Sequence, residues 1–155
     1  MAIRTIRLED DPILRKTSKQ VTKFDKKLEQ LVDDMIETMH DAEGVGLAAP
    51  QIGVLKRVVV IDLYDDEGPF ELINPEIVET RGEQCKFEGC LSVPGKSGKV
   101  IRPEYTKVRF QDVHGDFYEV EGEELLAIVL CHEIDHLNGI LYIDKQIEVL
   151  EDEAL

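Results

Sequence analysis

The chain has 155 residues, enough for one domain with a sizeable core. Hydrophobic residues make up 43% and charged residues 33%, the balance of a soluble globular protein. Acids outnumber bases 33 to 18, and the net charge of −15 argues against a nucleic-acid or anionic-membrane surface as the main role.

The first ten residues mix acids and bases and carry no apolar signal core, and no run reaches transmembrane length. Three cysteines, an odd number in a chain with no export signal, predict reduced thiols and a cytoplasmic home. Apolar side chains at Phe24, Leu28, Leu31, Val32, Met35, Ile36 and Met39 recur at helical spacing, which predicts a first helix, with Gly44 as its end signal. Residues 44 to 51 read as a glycine-rich turn leaving that helix. The run from Arg57 to Leu63, with Val58-Val59-Val60-Ile61, predicts a buried strand. The acidic stretch Asp65 to Pro69 predicts a solvated turn. Short strands are expected near Phe70 to Ile73, Ile77 to Arg81, Val100 to Ile101, Thr106 to Gln111 and Phe117 to Glu121, with His114-Gly115 at a hairpin tip.

From Glu123 to Leu137 there is no Gly or Pro, and Leu125, Leu126, Ile128, Val129, Leu130, Ile134 and Leu137 make the segment apolar nearly all round. That predicts a buried helix. Asn138-Gly139 supplies a left-handed stop, and Glu121, Glu123 and Glu124 suit a helix N-terminus. The element order predicts an α+β domain over residues 1–155: antiparallel or mixed short strands around a buried second helix.

That helix carries His132-Glu133-Ile134-Asp135-His136. Histidines four apart share one helix face, so both imidazoles reach one metal ion. A carboxylate directly after the first histidine can lean over the same ion and hold a proton from its water. This is the H-E-x-x-H arrangement of metal-dependent hydrolases. Glu133, Asp135 and His136 would otherwise be titratable groups buried among aliphatics, a costly arrangement that a metal resolves.

Such a site needs a third protein ligand and an open position. Tyr142 stands where the longer H-E-x-x-H-x-x-G-x-x-H pattern has its third histidine. Glu148 and Glu151 are acidic candidates. Cys131 points about 100° away from His132 on the helix and reads as a small buried hydrophobe. Cys85 lies in an ordinary polar segment. Cys90, in Glu88-Gly89-Cys90-Leu91-Ser92 before Pro94-Gly95, lies on bent backbone that could present a thiolate and free amides. In Gly44-Val45-Gly46-Leu47-Ala48-Ala49-Pro50-Gln51, small residues let backbone approach a ligand and Gln51 offers an amide donor.

These three segments, 44–51, 88–92 and 132–136, resemble in order the signature motifs of the peptide deformylase family, in its shorter bacterial class. The resemblance implies an enzyme that removes the N-formyl group from formylmethionyl nascent polypeptides. It implies Cys90, His132 and His136 as metal ligands and Glu133 as general acid/base. It also implies Gln51 and the Leu91 amide as oxyanion donors, and the main chain of Gly46 as a substrate contact. The ion it implies is Fe2+, with Zn2+, Ni2+ or Co2+ as substitutes, although two imidazoles and a thiolate would by themselves favour zinc.

Val45, Leu91, Leu125, Ile128 and Val129 are candidate walls of a pocket for the methionine side chain; the last three share the ligand face of the helix. Arg102 is expected to pair with Asp135, because a buried carboxylate needs a partner. Cys131 stands where the family commonly has Gln, a departure that touches a supporting hydrogen bond, not the ligands. Contact with the ribosome is expected, if at all, without the long C-terminal helix of larger members; direct nucleic-acid or membrane binding is not expected. Two other readings remain open at this level: a broader metallopeptidase, and a structural metal staple with Cys85 or Cys131 as fourth ligand.

Overall fold

The computed structural model describes residues 2–151. The N-terminal segment runs extended to a 3-10 turn at Pro12–Arg15, started by Asp11, whose side chain accepts the Ile13 amide. Helix α1 spans Lys26–Asp41, with Asp25 as N-cap accepting from the Leu28 amide. Its buried face is Leu28, Leu31, Val32, Met35 and Met39, the predicted stripe. The end signal differs from expectation. Glu43, not Gly44, takes the left-handed conformation, at φ +58.

Strands β1 (Gly46–Ala48) and β2 (Val58–Ile61) follow. The supposed glycine-rich turn over 44–51 is thus a short strand leading into a 3-10 turn at Ala49–Ile52. Strand β3 runs from Phe70 to Arg81 as one element where two short ones were expected; register shifts on its pairing with β6 (Tyr105–Gln111) disguise its alternation. β4 (Gln84–Cys90) is a strand the sequence reading missed, and β5 (Val93–Arg102) is far longer than the expected pair of residues. Both carry Gly and Lys, with Glu in β4 and Pro in β5, which hides a strand from propensity arguments. β7 (Phe117–Glu123) closes a hairpin with β6 across Asp112–Asp116, with His114 exposed at the tip. Helix α2 (Glu124–Leu137), a 3-10 turn at Tyr142–Asp144 and β8 (Glu148–Glu151) complete the described chain. Residues 152–155, the rest of the acidic tail, lie outside the described residues.

Five strands form one antiparallel sheet in the order β1-β2-β3-β6-β7, and three form another, β4-β5-β8. β2 explains the layering. Its residues alternate between two cores: Val58 and Val60 join Leu28, Leu31, Val32, Met35 and Met39 of α1, whereas Val59 and Ile61 join Val129, Leu130, Ile134 and Leu137 of α2. A strand covered on both faces reads as a continuous apolar run, as Val58-Val59-Val60-Ile61 does. The large sheet therefore separates α1 from α2, and the small sheet lies against the far side of α2.

Two ends are tied down. Gly139, at φ +75, stops α2, and a Cβ there would lie 2.5 Å from Arg15 O, so neither conformation nor space admits a larger residue. At the other end, Arg4 Nη2 and Nε reach Asp34 Oδ2 at 2.7 and 3.0 Å, and Gln30 Nε2 donates to Asp34 Oδ1 at 2.7 Å.

Candidate active site and metal centre

Helix α2 carries His132, Glu133 and His136 into the interior at 7%, 4% and 1% exposure. The two imidazole centroids are 5.1 Å apart, as the i, i+4 spacing dictates. From the opposite sheet, the end of β4 delivers Cys90, whose Sγ lies 3.4 Å from His136 Nε2. One donor atom from each of Cys90, His132 and His136 falls within 4.8 Å of the other two; among the described residues no other such trio occurs.

Glu88 Oε1 lies 2.9 Å from His132 Nδ1. Arg102 donates from Nε to Glu88 Oε2 at 2.8 Å and from Nη2 to Oε1 at 2.9 Å. Burial alone would raise Glu88, but the bonds to His132 and Arg102 outweigh it and hold its carboxyl below the usual range. An ionised carboxylate only accepts, so His132 Nδ1 carries a proton. Burial alone would lower His132, but the bonds to Cys90 and Glu88 outweigh it and push it up to about 10, so a metal at Nε2 would have to displace a second proton. Burial holds His136 neutral, well below the ordinary imidazole value, and its Nδ1 has no partner among the described residues. Two imidazoles converging with a thiol suit a divalent transition metal. Arg102 also donates to Asp135 Oδ2 at 2.8 Å, the expected pair, and Lys145 Nζ reaches the same oxygen at 3.0 Å.

Glu133 stands beside this trio. Its Oε2 is 4.0 Å from His132 Nε2, and its Oε1 has no partner among the described residues. Burial pushes its carboxyl up to about 7, close to the pH at which a proton shuttle works best. Gly46 on β1 lies directly against it: a Cβ on Gly46 would sit 2.6 Å from Glu133 Oε2. Gln51 Oε1 accepts the Ala48 amide at 2.9 Å, which turns Nε2 towards Ser92 Oγ at 3.1 Å and Cys90 Sγ at 3.5 Å.

Residues 3–151 match the family model of polypeptide deformylase. The chain belongs to the polypeptide deformylase family. It is similar to the peptide deformylase of Agathobacter rectalis, 58% identical over 152 residues that cover 98% of this chain and 95% of the relative. The peptide deformylase of Alkaliphilus metalliredigens is 60% identical over 148 residues, covering 96% and 99%. Among solved structures, peptide deformylase from Thermotoga maritima superposes with a TM-score of 0.91 at 44% identity, covering 94% of this chain and 99% of that one. The Legionella pneumophila peptide deformylase gives 0.90 at 50%, covering 93% and 86%. The chain is thus a metal-dependent amide hydrolase that removes the N-formyl group from formylmethionyl nascent polypeptides and releases formate. The metallopeptidase and structural-staple alternatives fall away with this finding.

The chain has a cavity of about 930 Å³ against the Cys90–His132–Glu133 cluster. Val45, Gly46, Gln51, Leu91, Ile128 and Val129 line it, and Leu125 does so at the mouth. Leu125 is 53% exposed, so the first turn of α2 is not apolar-buried as its composition suggested. The remaining candidates stand outside the donor trio. Cys131 is buried with its Sγ 3.5 Å from Thr106 Oγ1, and Cys85 is exposed; neither joins the trio. Glu148 pairs with Lys99 at 3.7 Å on the small sheet. The Tyr142 ring stacks on His132 with centroids 6.1 Å apart. Sequence reasoning missed the bridging role of Glu88 and the contact of Ser92 with Gln51. The one available signal was a glutamate two residues before Cys90 in the segment already singled out.

Proposed function

We propose that Cys90, His132 and His136 hold one divalent metal per deformylase chain and that Glu133 moves the protons of the reaction. The convergence of the three donors within 4.8 Å, with Glu133 beside them, carries this reading. Bound there, the ion supplies a Lewis acid that acidifies water and polarises the formyl carbonyl. Glu133 takes a proton from the water as its oxygen adds to the formyl carbon. Gln51 Nε2 and the Leu91 amide donate to the oxyanion that this addition creates. Glu133 then returns the proton to the nitrogen as the C–N bond breaks, leaving formate and a free α-amine. The close fit of Glu133 against Gly46 supports the role of the β1 main chain in guiding the substrate past the carboxylate. Val45, Leu125, Ile128 and Val129 form the walls proposed for the methionine side chain.

Fe(II) is the proposed physiological ion, on the strength of the family resemblance, with Zn(II), Ni(II) or Co(II) as substitutes. The family match over 3–151 supports one catalytic domain spanning residues 1–155. The charge of −15 supports action on emerging chains without direct nucleic-acid binding. No helix among the described residues is long and apolar enough to cross a membrane, and three unpaired cysteines support a reducing, cytoplasmic setting.

The test is formate release from a formyl-Met peptide together with elemental analysis. The wild-type chain should hold one metal, and Cys90→Ser and His136→Ala should each lose most of it and most activity. Full metal occupancy in both variants would reject the ligand set.

A further inference from the structure

The loop joining α1 to β1 is held from outside by residues the chemistry does not use. Glu43 turns the chain at φ +58, a value rarely taken by a residue with a side chain. Gly44 follows, pressed so closely on the opposite wall that a Cβ would sit 2.7 Å from Leu91 Cδ1. Glu43, Gly44, Val45 and Gly46 line one side of the cavity. Two successive carbonyls of this wall are pinned. The Tyr64 hydroxyl donates to Gly44 O at 2.7 Å, and the Asp62 amide donates to Val45 O at 2.9 Å.

The pins are themselves locked. Asp62 is buried; its Oδ1 accepts the Tyr64 amide at 2.7 Å, and its Oδ2 lies 2.7 Å from Nε2 of His40 in the last turn of α1. Tyr64 sits at φ +58, with its ring 5.8 Å from that of His40. Such backbone strain persists only where the surroundings over-determine it. Tyr64 is more than half exposed, so apolar burial does not account for its position.

We propose that His40, Asp62 and Tyr64 form a clasp that sets the Glu43–Gly46 wall at the spacing that grips the peptide main chain, with Tyr64 as a positioning residue. The inference rests on the reading of Val45 and Gly46 as substrate contacts. No hydrogen bond among the described residues links the clasp to Cys90, His132, Glu133 or His136. The clasp therefore acts on binding in the ground and transition states alike, which moves KM and leaves kcat.

The experiment is steady-state kinetics of the full, metal-loaded chain on formyl-Met-Ala-Ser. Tyr64→Phe removes one hydroxyl and should raise KM about fivefold, the scale of one modest hydrogen bond. Its kcat, metal content and Tm should stay at wild-type values. Asp62→Asn, which keeps an oxygen for the Tyr64 amide, should raise KM less than Asp62→Ala. An unchanged KM in Tyr64→Phe overturns the clasp, as does a kcat that falls together with Tm. Val45→Ala is the companion control, because it trims a proposed substrate wall without touching Glu133. Wild-type KM in both Val45→Ala and Tyr64→Phe would reject the substrate-site reading and the clasp with it. A raised KM in Val45→Ala beside a silent Tyr64→Phe would reject the clasp alone.

Discussion

Glu88 Oε1 receives the Nδ1 proton of His132 across 2.9 Å while both oxygens of the same carboxylate take the Arg102 fork. One buried glutamate thereby orients a proposed ligand from α2, anchors an arginine from β5 and sits two residues from the proposed thiol ligand on β4. Truncating it strands both partners. Glu88→Ala should weaken metal affinity about 10–100-fold, the usual cost of losing a histidine's supporting partner. It should also destabilise the fold by about 3–5 kcal/mol, because Arg102 is left as a buried charge with Asp135 as its one remaining acid partner. Metal titration and urea unfolding measure the two effects, and wild-type values in both would refute the bridging role.

Glu133 lies beside the donor trio without belonging to it. Glu133→Ala should therefore retain the metal and lose about 10²–10⁴-fold in kcat, the range of general acid/base catalysis. Near-normal turnover by a metal-verified variant would end the proton-transfer assignment.

The donor set accepts zinc readily, so iron must reveal itself by behaviour. Protein loaded with Fe(II) without oxygen should turn over a formyl-Met peptide faster than the zinc form and lose activity in air. Oxidation of the metal and of the adjacent Cys90 thiolate is the reason. Mass spectrometry of Cys90 before and after exposure gives a second readout. Equal, air-stable activity of both forms would make zinc the simpler assignment.

Asp34 ties the N-terminal segment to α1. Burial would raise its carboxyl, but bonds from Arg4, Gln30 and the Ala2 amide outweigh it and hold the group below the usual carboxylate range. A depressed folded-state value means that the stabilisation is complete above the unfolded value and disappears as pH falls through the folded one. Asp34→Asn should thus be less stable than wild type at pH 7, and the gap should close in strong acid. A gap of constant size between pH 7 and pH 2, measured by urea unfolding, would contradict the pairing.

Elements with a strong local apolar pattern were legible in the sequence. The α1 stripe recurs at helical spacing and the β6–β7 hairpin alternates, while β2 and α2 are continuous apolar runs told apart by length and β-branching, so local pattern suffices to read all four. β4, β5 and the long β3 were not legible in full. Their residues are polar, glycine-bearing or bulged, and cross-strand pairing, not composition, makes them strands. Glu43 rather than Gly44 turns left-handed because it is the residue after the Ala42 cap, where Glu43 N donates to His40 O at 3.0 Å and Gly44 N to Met39 O at 2.9 Å.

The site divides in the same way. His132, Glu133 and His136 share one helix face by arithmetic alone, and Arg102 needed only a buried acid to predict its partner. Composition and spacing left Cys85, Cys90, Cys131 and two glutamates as contenders for the third ligand. Sheet packing brings Cys90 Sγ within 3.4 Å of His136 and carries Cys131 away to Thr106. Helix and strand periods are properties of neighbouring residues, so the chain declares them locally. Which cysteine meets the histidines, and which glutamate is buried to orient them, depends on two sheets closing on opposite sides of α2, a long-range arrangement that no local pattern encodes.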